Sequence, residues 1–225
     1  MSQIVCSRPE AELGHLALIF PEADNCLIAS VDCRAMGSTY TNLVIKGSTQ
    51  DEVFEFVHDR AAYVSAAVSG YVVLLDELSE LDPEYELVTL ATALSMRFSS
   101  PVLTVKVSDS DIMAYWLHSK GRLLDWFNSY SGDIASGVYL QGPSGGNPDA
   151  LIAAFEAGSR ERLQEILTTQ HSCERYVSED RRHSDLLKQL RLPQFAVGIG
   201  YDYVCRGVHG VGTLPHFRAT LNAGS

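Results

Sequence analysis

The chain has 225 residues, 46% hydrophobic and 20% charged, enough apolar material for one large domain or two small ones and too much for a disordered tail. Its 17 basic and 28 acidic side chains leave a net charge of −11, which argues against a nucleic-acid binder, because affinity for phosphate rests on Lys and Arg. No apolar stretch approaches the ~18 residues that a membrane-spanning helix needs.

Five cysteines, Cys6, Cys26, Cys33, Cys173 and Cys205, are odd in number and form no CxxC pair. They predict reduced thiols and a cytoplasmic setting over a disulfide framework. Glu10 and Glu12 stand ahead of the apolar residues 13–20, where a signal peptide would carry Lys or Arg. Residues 1–35 admit two readings. They form a strand pair, 16–20 with 26–31, or they are an extension ahead of a natural start at Met36.

Residues 41–46 read as a strand. Thr49 with Glu52 is a capping box that opens a helix to about residue 60. Residues 62–65 and the apolar run 71–75 follow as strands, the second of a buried, central type. Asp82-Pro83 is a helix start, and Leu87, Leu90, Ala91, Leu94 and Phe98 supply its apolar stripe before Pro101. Residues 102–107 alternate as a half-buried strand, and 112–118 with 122–128 form a hairpin. The expected fold class is α+β: an antiparallel or mixed sheet over residues 36–131 with two helices on one face.

Glycines crowd residues 132–147, read as a linker. Residues 148–225 then turn helical, as a smaller C-terminal lobe. Asn147-Pro148, Ser159 and Ser178 open three helices. Residues 195–204 read as a terminal strand, followed by a loose tail.

The acid is unevenly spread. Residues 1–159 hold 8 basic and 21 acidic side chains, and residues 160–225 hold 9 and 7. Asp76, Glu77, Glu80, Asp82, Glu84 and Glu86 fall together without one Lys or Arg. The run is a solvated helix start, where acids suit the dipole, or a docking surface for a basic protein. Trp116 and Trp126 extend the docking reading. Alternation sends Tyr115 and Trp116 to opposite faces, and likewise Trp126 and Phe127, so one of each pair faces water unless helices cover it.

Catalytic patterns are weak. Asp109 and Asp111, with His118 on the next strand, offer oxygen and imidazole ligands for a hard cation, although Asp is also the common residue of tight turns. His171 and Cys173 lack a second pair at zinc spacing. A set drawn from Cys173, His183 and Asp185 has no distinguishing spacing. The glycines of 142–146 lack a P-loop ending, and Gly198-x-Gly200 lacks a third glycine, so no cofactor is expected and both read as turns or close packing. Arg175, Arg181, Arg182 and His183 interleave with Glu174, Glu179, Asp180 and Asp185 as a salt-bridged helix face.

Residues 36–47, 63–77 and 101–128, Arg182-His183, Leu192-Pro193 and residues 195–203 together resemble a set of uncharacterised bacterial proteins with no established activity. The resemblance implies no catalytic residue. The expected function is non-enzymatic binding of a protein partner, in the manner of an immunity protein or adaptor. It would act through Asp76, Glu77, Glu80, Asp82, Glu84, Trp116 and Trp126, with no nucleic acid and no membrane involved. The alternatives are a metal-assisted hydrolase at Asp109, Asp111 and His118, and an oligomerising domain.

Overall fold

A computed structural model describes residues 37–81, 85–130, 142–171, 175–207 and 216–220, all within the unit Met36–Ser225. The two readings of residues 1–35 lie outside the described residues, as do the Asp82-Pro83 helix start and Cys173. The strands are β1 (Tyr40–Lys46), β2 (Ala62–Ser65), β3 (Tyr71–Asp76), β4 (Val102–Ser108), β5 (Ile112–Ser119), β6 (Arg122–Asn128), β7 (Ser144–Gly145) and β8 (Phe217–Ala219). They form one sheet in the order β7-β6-β5-β4-β1-β3-β2-β8, antiparallel at every pairing.

Helices cover both faces. On one face lie α1 (Gln50–Phe56) and α3 (Tyr85–Arg97), which bury Val53, Leu87, Leu90, Ala91 and Leu94 against Leu43, Ile45, Val72 and Leu74. The Thr49 capping box is formed in full, so α1 starts where the sequence predicts. Between β3 and α3 the chain makes a further short helix, α2 (Glu77–Leu81). The α+β class therefore holds, with two helices on one face of an antiparallel sheet.

The C-terminal helices α4 (Pro148–Phe155), α5 (Arg160–Thr168), α6 (Glu179–Leu190) and α7 (Tyr201–Cys205) pack on the other face. Leu151, Phe155, Leu163, Leu186, Leu187 and Leu190 share a core with Val44, Val73, Leu103, Val105, Tyr115 and Phe127. What the sequence offers as a lobe is thus a second helical layer on the same sheet. With both faces covered, β3 reads as a continuous apolar run from Tyr71 to Leu75, as strands buried on two sides do, and β1 is buried from Tyr40 to Ile45, its Asn42 donating to the Ala196 and Ile199 carbonyls.

Two sequence expectations are corrected. Residues 195–204 are not a strand: Gln194–Ala196 is a single 3-10 turn, Gly198 has φ +73°, and Gly200 caps α7. The tail is not wholly loose, because Phe217–Ala219 pairs with β2, and Thr220 Oγ1 accepts from the Ala62 amide and donates to the Arg60 carbonyl. The glycines of 142–146 serve close packing. A Cβ on Gly145 would stand 2.3 Å from the Trp126 carbonyl oxygen, and the Gly146 amide donates to that same oxygen at 2.7 Å.

Helix α6 is fixed by polar groups the sequence places on a solvated face. Arg182 and Glu179 are both fully buried and paired at 2.6 Å. The guanidinium also donates to the Ile166 carbonyl and lies 4.2 Å from the Tyr176 ring centroid. Asp180 accepts from the hydroxyls of Ser38, Ser110 and Ser178. This ties the start of β1 and the β4–β5 turn to the helix. His183 is fully buried, stacked on Tyr40, with the Tyr40 hydroxyl 2.9 Å from its Nδ1. Burial outweighs the attraction of nearby Asp180 and holds His183 neutral, its pKa driven down to about 3.

Two outcomes follow for stability. Arg182→Leu takes the guanidinium from the buried Glu179 carboxylate, leaving it His171 at 3.2 Å, and should cost about 3–5 kcal/mol in denaturant unfolding, as for other broken buried pairs; a loss under about 1 kcal/mol would place the pair in solvent. The unfolded chain binds a proton at His183 near the ordinary pKa of ~6.5, and the folded chain does so only near 3. The stability due to a neutral His183 is therefore complete above about pH 6.5 and is lost as pH falls towards 3. A pH series of melting temperatures should show that acid slope reduced in His183→Phe.

Candidate functional site

The β5–β6 hairpin sets the two tryptophans of the chain in register, Trp116 opposite Trp126, on the α3 face. Tyr115 and Phe127 pair on the other face, stacked with centroids 5.4 Å apart under the C-terminal helices. The alternation read from the sequence is what separates them. Trp116 is half-buried against α3, and Trp126 is 46% exposed.

A groove of about 590 Å³ opens between α3 and this hairpin, lined by Tyr85, Val88, Thr89, Trp116, Trp126 and Asn128. Its wall is unusual. Residues 87–96 of α3 carry no charged side chain, yet Thr89 and Met96 face solvent. A surface helix ordinarily places charge on its outer face. Leu123 and Leu124 continue the apolar exposure along β6 at about half their area each. A bulge between Leu117 and His118 shifts the register there, which pairs Asp125 with Leu117 and Leu123 with His118.

The acidic run divides. Asp76 is buried, takes a bidentate pair from Arg60 at 2.7 and 2.8 Å, and accepts from the Ser79 amide and hydroxyl. Arg60 also reaches Glu86 at 3.2 Å. Glu80 caps α7 by accepting from the Tyr201 and Asp202 amides, and burial pushes its carboxyl up from the ordinary range. A Cβ on Gly200 would meet Glu80 Oε2 at 2.4 Å, so this contact needs glycine. Asp76 and Glu80 therefore serve the fold. Glu77 is half-buried, and Asp82 and Glu84 lie outside the described residues.

The candidate metal ligands are not brought together. Asp109 and Ser110 occupy a left-handed turn at φ +55° and +57° at one end of β5, and His118 sits at the other end. Seven residues along a strand separate Asp111 from His118 by roughly 20 Å. The turn is held by the chain's own groups: the Asp109 amide donates to Thr39, and a Cβ on Gly37 would lie 2.0 Å from the Asp109 carbonyl oxygen. His118 is buried on the α3 side, and burial lowers its pKa. Among the described residues no group of three or more His, Cys, Asp or Glu could hold a metal ion. His183, with no solvent access, is unsuited to a nucleophilic set.

No family model, no curated protein and no solved structure matches the chain. Among the described residues no helix is long and apolar enough to cross a membrane.

Since both tryptophans line the groove, selectively excited tryptophan fluorescence reports on it. Trp126→Phe should shift emission to the blue and lower acrylamide quenching, because the more shielded Trp116 remains. The stability change should stay within about 0.5 kcal/mol, as for surface positions. An unchanged spectrum would mean that Trp126 is covered.

Proposed function

We propose that the chain is a non-catalytic protein-binding module, in the manner of an adaptor or immunity protein, and that its partner docks in the α3/β5–β6 groove. The observation that supports this most is the uncharged strip of α3 that lines an open groove together with Trp116 and Trp126. Exposed contiguous apolar surface of this kind marks interaction sites, and tryptophan and tyrosine dominate binding hot spots. Charge supports a basic partner: a chain of net charge −11 attracts cations at long range, while the neutral groove supplies short-range contact. The free thiol of Cys205 fits a reducing, cytoplasmic setting.

The test compares the wild-type chain with Trp126→Asp in affinity capture from cells at low and high salt. The reading predicts a basic protein that is retained by the wild type, weakened about thirtyfold or more by Trp126→Asp, and released as salt rises. The purified complex should show blue-shifted tryptophan emission. Equal retention by the variant, or capture indifferent to salt, would contradict the reading.

A further inference from the structure

We infer that the element entering the groove is a single amphipathic α-helix of the partner, lying beside α3 and completing the helical layer on that face. The inference rests on the groove being a docking site. Its first support is spacing. Strands lie about 4.8 Å apart and packed helices 8–10 Å apart, so a layer of helices needs one for roughly every two strands. On this face α1 lies over β2 and β3, and α3 lies across β4 and β5 and touches β6. The next position in the layer, about 10 Å beyond α3, falls over β6 and its exposed Leu124 and Trp126. Among the described residues the opposite face carries four helices.

Charge supplies the second support. The groove walls are neutral, so the inserted face must be apolar, but the two ends differ. At the Tyr85 end Glu86 is already paired with Arg60, and the strand order places there the exposed Asp111, one residue before β5. At the other end the Ser95 hydroxyl accepts from the Gly121 amide, which brings the end of α3 against the β5–β6 turn with its exposed Lys120 and Arg122. A complementary helix presents Lys or Arg beside Tyr85 and an acid beside Lys120. A helix N-terminus, the positive end of the dipole, also belongs at the Tyr85 end, so the helix runs parallel to α3. The 13 residues of α3 set its length at about three to four turns.

The experiment is selection of a phage-displayed random 16-residue peptide library on the immobilised full chain, with counter-selection on Trp126→Asp and on Val88→Asp. Both substituted positions are solvent-accessible, and circular dichroism checks that both variants fold. The expected peptides have apolar residues spaced i, i+3, i+4, i+7, with basic residues towards their N-termini. They gain helicity on binding, blue-shift the tryptophan emission and bind the variants at least tenfold more weakly. Enriched peptides alternating with period two would overturn the helix and leave the groove as a docking site. Peptides held equally by both variants, or no enrichment, would overturn the groove itself. A wild-type dimer in sedimentation that Trp126→Asp dissociates would make the occupant a second copy and overturn the partner helix.

Discussion

A wide antiparallel sheet has two faces, and each must be kept from water. That requirement organises this molecule. The central strands β1 and β3 are buried on both sides, so neither can be exposed without exposing a core. The chain meets the requirement first locally, with α1 and α3 inserted between strands, and then at long range, with α4 to α7 returning over the other face. The two solutions differ in extent. The second layer reaches Phe127 on β6, whereas among the described residues the first ends at α3 and leaves Trp126 half in solvent.

Polar groups decide where the second layer sits. Apolar packing alone tolerates sliding, but the contacts of α6 are specific. Asp180 gathers hydroxyls from Ser38 and Ser110, which are far apart in sequence, and Arg182 spans Glu179, Ile166 and Tyr176. Glu80 does the same for α7 through two amides. Such buried groups are costly to desolvate, and each is matched by hydrogen bonds. Acids that appear from composition to be surface charge are in part the fasteners of the layer, which removes them from any docking role.

Much of the fold was legible because local signals and tertiary structure agree. The Thr49–Glu52 box, the Asn147-Pro148 and Ser178 caps, and the alternation around Trp116 and Trp126 each depend on near neighbours. What the sequence concealed depends on distant partners. The burial of Asp76 requires Arg60 from just ahead of the neighbouring strand β2, and the pairing of Phe217–Ala219 requires β2. Residues 195–204 alternate like a strand, yet Gly198 and Gly200 turn the chain into α7 against Glu80. The groove was half visible: the tryptophans stood out, but the missing charges of residues 87–96 gain meaning only once that side of α3 is seen to face water.

The face left incompletely covered by α1 and α3 is the surface proposed to dock a partner. Hydrogen–deuterium exchange of the full chain, free and saturated with its captured basic partner, tests this most directly. The account predicts new protection confined to α3 and the β5–β6 hairpin, with α4 to α7 unchanged. Protection centred on α4 to α7, with α3 and the hairpin unaffected, would contradict it.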